Sequence, residues 1–297
     1  MKFGKVDNPS LVDFTLPSDD PATIKILAKA KGKNFDVSVG CAKWNKTELK
    51  GFYPKGVKDE LVYYSQQFNA IELNSIFYNT PSIQQIIKWK EKTPKDFKFF
   101  PKVTNSISHY KRLLNVKEIT NDYCNAIANF EEKLGMVFLQ LHENFSPKEF
   151  DKLKIFIQEF PKGIPLTVEV RNSEWFTNSE VWGNYTSLLE KYKIANTIVD
   201  TPGRRDMMHM RLTTPIAFIR WVGCNKDDID YKRLDEWIVR IKKWKTEGLK
   251  KIYFFVHQGN ETSSPVFSAY FITKLNKALR IDLKVPEIAE GGQSSLF

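Results

Sequence analysis

The chain is poor in cysteine and histidine. Its three cysteines, Cys41, Cys124 and Cys224, are odd in number and far apart, with no CxxC spacing. That argues against a disulfide framework and suits a reduced, cytoplasmic protein. The four histidines contain no HxH or HExxH spacing, so no metal motif announces itself. No apolar run approaches the ~20 residues that cross a bilayer. The opening MKFGKVDNPSLVDF lacks the apolar stretch and small-residue cleavage site of a signal peptide. No glycine-rich phosphate fingerprint follows an early strand-like segment, which disfavours an open doubly wound sheet.

What is present is a large core and a basic balance. Of the 297 residues, 42% are hydrophobic and 13% aromatic. Forty-five Lys and Arg against 35 Asp and Glu give a net charge of +10. That charge is compatible with nucleic acid, anionic metabolites, or solvated helix faces such as KWKEKTPKDFK.

Short apolar runs alternate with longer amphipathic ones. Strands are expected at 36–42, 69–75, 97–103, 136–142, 166–172, 196–200, 216–222 and 252–258. Helical periodicity fills most of the intervals, as where Val57, Leu61, Tyr64 and Phe68 recur in KGVKDELVYYSQQF. The stretch TPGRRDMMHMRLTT is too short for a regular helix and reads as a loop. Eight strands alternating with helices, and no break in composition, predict a single (β/α)8 TIM-like barrel. Residues 1–35 would be an N-terminal extension, 36–285 the barrel, and 286–297 a flexible tail.

Residues two apart on a strand share a face. In LTVEVRN, Leu166, Val168 and Val170 make an apolar row, and Thr167, Glu169 and Arg171 the other. The second strand sets Glu72 and Asn74 against Ile71 and Leu73, and the fourth sets Phe138, Gln140 and His142 against its apolar row. In the eighth, Phe255 and His257 oppose Phe254 and Val256; Lys102, Asp200 and Arg220 close the third, sixth and seventh. Polar residues therefore collect late in the strands, at the end where such folds build sites. Two readings follow: a ring of ion pairs closing the mouth, or an anion site with carboxylates available for acid–base work. Glu72, Lys102, Glu169 and Asp200 are the candidate catalytic residues. Arg171 and Arg220 are candidates for ligand binding, with Trp44, Asn74, Tyr78, His109, Trp175 and His257 as further contacts. His109, His142 and His257 beside Glu72, Glu169 and Asp200 are also a donor mixture of the kind that holds a divalent metal. Without a supporting spacing, hydrogen-bonding histidines fit as well, and no cofactor is assigned.

Taken together, VGCAKW (39–44), FYPKG (52–56), YYSQQFNAIELNSIFYNTPS (63–82), WKEKTPKDFKFFPKVTNSISH (89–109), LGMVFLQLHENF (134–145), VEVRNSEWF (168–176), VDTPG (199–203) and FIRWVG (218–223) resemble the DUF72 (YecE-like) family. The resemblance runs in order over about 35–260 and implies a TIM barrel of unestablished activity. It also implies family positions at Glu72, Asn74, Tyr78, Lys102, His109, Glu169, Arg171, Trp175, Asp200 and Arg220. The sequence departs from the family pattern at Lys43, where glycine is usual, at His142, where proline is common, at Val222, where histidine often stands, and at His257, where asparagine is usual.

The C-terminal QSSLF raises a partner. Gln293, Leu296 and Phe297, behind Gly291 and Gly292, resemble the short peptide by which replication and repair proteins bind the bacterial sliding clamp. Three functions are thus expected to compete. One is a nucleic-acid-processing enzyme, a phosphodiester hydrolase or repair factor. Another is an isomerase- or lyase-like enzyme acting on a phosphorylated or acidic sugar. The third is a non-catalytic binding protein.

Overall fold

The computed structural model describes residues 5–30, 32 and 34–288. The strands are β1 (Asp36–Cys41), β2 (Ala70–Leu73), β3 (Lys98–Pro101), β4 (Val137–Gln140), β5 (Leu166–Glu169), β6 (Ala195–Asp200), β7 (Ile216–Val222) and β8 (Lys251–His257). Between and around them lie α1 (Pro21–Lys29), α2 (Glu60–Gln67), α3 (Ile83–Glu91), α4 (Lys117–Ile127), α5 (Phe150–Glu159), α6 (Glu174–Thr177), α7 (Ser179–Lys191), α8 (Asp227–Glu247) and α9 (Ser264–Leu279). Each expected strand segment contains most or all of an observed one. Among the described residues no helix is long and apolar enough to cross a membrane. The clamp-like residues Gln293, Leu296 and Phe297 lie outside the described residues.

The fold is α/β, but the expected closed eight-stranded barrel is not what the strands form. Six parallel strands pair in the order β1-β8-β7-β6-β5-β4, while β2 and β3 pair in a separate two-stranded sheet. At one seam β3 meets β4 only through the isolated bridges Phe99–Leu134 and Lys102–Phe138. Pro101 has no N–H to extend a ladder there. At the other seam side chains stand where ladder bonds would be. Asn69 Oδ1 accepts from Val39 N at 2.9 Å, and its Nδ2 donates to Val37 O at 2.8 Å. The Tyr64 hydroxyl accepts from Cys41 N at 2.8 Å and donates to Ala70 O at 3.0 Å. Gly40 permits this close approach: a Cβ there would stand 2.1 Å from Ala70 O. Period-2 patterning reports which face a side chain takes, not whether two neighbouring backbones pair, and the barrel expectation failed on that distinction. Asn69→Ala should cost about 2–4 kcal/mol, since it strands a donor and an acceptor of β1. Denaturant unfolding measures it, and a loss below ~0.5 kcal/mol would show that the seam does not depend on this side chain.

The strand faces sort as the alternation expects. Ala70, Phe100, Met136, Phe138, Ala195, Phe218, Tyr253 and Phe255 make one inner apolar cluster from strands of both sheets. The opposite rows, with Leu139 and Val168 in one cluster and Ile219 and Phe254 in another, pack under the helices. Two residues beyond Ala70, Phe100, Phe138, Phe218 and Phe255 come Glu72, Lys102, Gln140, Arg220 and His257. The aromatic cluster is thus the floor on which a polar layer stands. On the far side the N-terminal segment is tied down by Asp19, which accepts from Arg240 Nη1 at 2.7 Å and Trp244 Nε1 at 2.9 Å.

Candidate functional site

Arg220 organises the polar layer. Its Nε and Nη2 reach the two oxygens of Glu72 at 2.9 and 2.8 Å, and Nη1 reaches Glu169 Oε2 at 2.9 Å. Glu72 also accepts from Asn74 Nδ2 at 2.7 Å and lies 3.0 Å from His257 Nε2. Glu169 Oε1 accepts from Gln140 Nε2 at 3.0 Å and Arg171 Nε at 2.5 Å. Both carboxylates are buried. Burial alone would raise their pKa values, but the cations more than offset it. Arg220 and then His257 hold Glu72 well below its ordinary range. Arg171 and Arg220 bring Glu169 to about 2. One guanidinium shared by two carboxylates therefore keeps both ionised.

Lys102 is treated differently by its surroundings. Its Nζ donates to Gln140 Oε1 at 2.8 Å and lies 4.1 Å from the centre of the Phe77 ring. Among the described residues no carboxylate comes within ion-pair distance of it. Burial first, then Arg220 and Arg171, push its ammonium down to about 7, against a partial opposing pull from Glu169 and Glu72. A buried amine near neutrality, with donors left over after one hydrogen bond, is a group prepared to exchange a proton.

The layer opens into a cleft with two connecting lobes. The larger, about 480 Å³, is walled by Trp44, Phe77, Tyr78 and Trp89, with Glu72, Asn74 and Lys43 beside them. Trp44 and Trp89 meet edge to face at 5.6 Å, and Tyr78 is exposed at the rim. The smaller, about 300 Å³, is lined by Lys5, Arg171, Gln140 and Gln258. Lys102, Arg220, His257 and Glu261 border both lobes. One lobe thus offers ring faces and the other a concentration of cations.

Most of the sequence-nominated residues come together here: Trp44, Glu72, Asn74, Tyr78, Lys102, Glu169, Arg171, Arg220 and His257. His109 stands next door, on a π-turn at Ser106–Tyr110, with its ring 4.9 Å from Phe77 and 5.2 Å from His142. Burial, then Lys102 and His142, push it down to about 4, so it is neutral at physiological pH. Asp200 and Trp175 are placed elsewhere. Asp200 is buried against α8, paired with Arg205 and, at 2.9 Å, Arg233, and it accepts from Trp237 Nε1 at 2.8 Å. Trp175 is wholly buried, with Nε1 donating to Phe145 O at 2.8 Å. Both are parts of the packing, not of the cleft.

Gln140, Trp89, Lys43 and Glu261 line the cleft without having been nominated. Gln140 was legible, since it shares the inner row with Phe138. Glu261 follows β8 in a short 3-10 turn, Glu261–Ser263, where no periodic pattern marks a face. Among the described residues no group of three or more His, Cys, Asp or Glu side chains is arranged to hold a metal ion. Of the carboxylates in the metal alternative, Glu72 and Glu169 are paired with Arg220 and Arg171, and Asp200 with Arg205 and Arg233.

A family model described as a protein of unknown function, DUF72, matches residues 38–290. The UPF0759 protein YecE of Escherichia coli K12 is 25% identical over 284 residues, covering 88% of this chain and all of that protein. A DUF72 family protein from Enterococcus faecalis V583 shares the fold with a TM-score of 0.67 at 16% identity, covering 84% of this chain and 100% of that one. Another from Thermotoga maritima MSB8 gives 0.63 at 24% identity, with 83% and 100% covered.

Proposed function

Since this chain belongs to the DUF72 family, whose description carries no activity, we propose a function from its cleft: it binds a small anionic compound and uses Lys102 to transfer a proton on it. The observation that carries this is the state of Lys102, a buried amine near neutrality with one neutral hydrogen-bond partner, bordering both lobes. The lobe volumes suit a small molecule. The cations of the smaller lobe suit a phosphate or carboxylate, and the aromatic walls suit the face of a sugar. This favours the isomerase- or lyase-like reading on a phosphorylated or acidic sugar. Phosphodiester hydrolysis receives less support, because Glu72 and Glu169 are committed to Arg220.

An anion beside Lys102 stabilises its charged form, so binding takes up a proton wherever the free protein's amine is neutral. The sign follows. Below about pH 7 Lys102 is already protonated, and affinity is insensitive to pH through this group. Above it, affinity should fall by about tenfold per pH unit for each proton taken up. Titration calorimetry with 2-phosphoglycolate, fully ionised above neutral pH, measures this. An affinity that stays flat from neutral to alkaline pH would refute the role given to Lys102.

A further inference from the structure

His257 ends the inner row of β8, and Glu261 stands four residues on, in the turn that follows the strand. His257 Nε2 lies 3.0 Å from Glu72 Oε2. Glu72 is ionised and can only accept, so Nε2 carries a proton and donates it. The other nitrogen, Nδ1, is 4.0 Å from Glu261 Oε1. That is too long for a hydrogen bond. It is short enough for an oxygen atom seated between the two to contact both. Glu261 Oε2 is engaged by Ser264 Oγ at 2.6 Å, which fixes the carboxyl and leaves Oε1 turned to the imidazole. Both side chains are mostly buried, 12% and 14% exposed, and both border the two lobes.

Resting on the reading of the cleft as an anion site, we propose that His257 Nδ1 and Glu261 Oε1 form a second proton-transfer station. A bound hydroxy- or keto-compound would then meet Lys102 at one atom and this pair at another. When an anionic oxygen is seated between the two, the station takes up one exchangeable proton, shared among Nδ1, Oε1 and that oxygen. Burial raises the pKa of Glu261, with His257 and the Ser264 hydroxyl opposing it in part. The groups surrounding the pair are Glu72, Lys102 and Arg220 in the inner layer, Lys43 and Lys5 at the lobe walls, and the Cys41 thiol behind.

Two stations on one cleft define a reaction class: migration of hydrogen between adjacent carbons of an anionic hydroxycarbonyl compound. In the fraction of complexes where it is the free amine, Lys102 takes the proton from the carbon beside the carbonyl. The C–H pair becomes a C=C bond, the carbonyl π pair moves to oxygen, and that oxygen takes the proton of the station. In the second half the neighbouring hydroxyl returns a proton to the station. Its oxygen becomes the new carbonyl, and Lys102 gives its proton to the former carbonyl carbon. Protons and electrons balance with no external reductant or oxidant.

Calorimetry of 2-phosphoglycolate binding at pH 8, in two buffers of different ionisation enthalpy, counts the protons taken up. Lys102 alone supplies at most one per ligand. With the station, the count for the unaltered protein should exceed one, and Glu261→Gln should remove the excess. His257→Gln should remove the same increment, and Lys102→Met should lose the other share. A Glu261→Asp variant, which keeps a carboxyl group, should retain part of the excess and separates the proton from any effect on folding. A count of one or fewer, unaltered by Glu261→Gln and His257→Gln, would overturn the second station and leave the Lys102 reading standing. No binding of 2-phosphoglycolate to the unaltered protein would overturn both.

Discussion

Replacing Arg220 with methionine should cost about 3–5 kcal/mol, the largest stability loss of any single substitution in the cleft, because it leaves buried carboxylates without their shared cation. Arg220 makes three hydrogen bonds to two acids, and each of those acids is at most 1% exposed. The pH dependence distinguishes this from a simple packing defect. In the unaltered protein both acids have folded pKa values below their unfolded ones. Their contribution is therefore present above the unfolded value of ~4.3 and is lost as pH falls through the folded value, about 2 for Glu169. In Arg220→Met, burial of Glu72 is opposed chiefly by His257, and that of Glu169 by Arg171 and Lys102. The stability deficit should therefore be smaller at pH 4 than at pH 7. Adding Glu72→Gln should recover part of the loss. A deficit independent of pH, and unrelieved by the second substitution, would mean that the guanidinium acts by volume alone.

Lys102→Met should do the opposite to stability while destroying the site. A lysine whose folded pKa lies near 7 and whose unfolded value is ~10.4 costs stability throughout the range below the folded value. The cost fades only as pH rises toward the unfolded value. Methionine fills much of the same volume beside Phe77 and Phe138 without a charge to desolvate. The variant should be more stable by about 1–2 kcal/mol at pH 7, with a smaller gain near pH 10. Its affinity for 2-phosphoglycolate should fall by roughly tenfold to a hundredfold, as expected for one charge-assisted hydrogen bond. Gain of stability with loss of binding is the signature of a residue kept for chemistry. Loss of both would make Lys102 a structural member of the ion-pair layer.

Much of this site was legible as strand parity. Glu72, Lys102, Glu169 and Arg220 each follow an inner-row residue by two positions, and the alternation located them without a structure. The same rule, applied within β6, explains why Asp200 is not with them. Ala195 belongs to the inner cluster and Thr197 bonds to Thr167 across that face. Asp200, an odd number of residues further on, points to the helix side, where Trp237 and Arg233 wait. Lateness in a strand was read there without its face. Trp175 was carried over with a motif whose tryptophan serves the packing under Phe145 and Tyr185.

Two features had no local signal. The seam between β1 and β2 depends on what Asn69 and Tyr64 do with their side chains, which composition and periodicity do not encode. Glu261 reaches the cleft from a turn, placed there by the first residues of α9 and by its hydroxyl partner Ser264. His257 itself was legible in the inner row of β8. Its partner was not.

The most direct test is the titration of the Lys102 side chain itself, followed by NMR of selectively labelled lysine with Lys102→Met for assignment. A Lys102 that transfers protons in the cleft should show a midpoint near 7, moving upward when inorganic phosphate is added. A midpoint at the ordinary lysine value of ~10.4, the same with and without phosphate, would contradict that role.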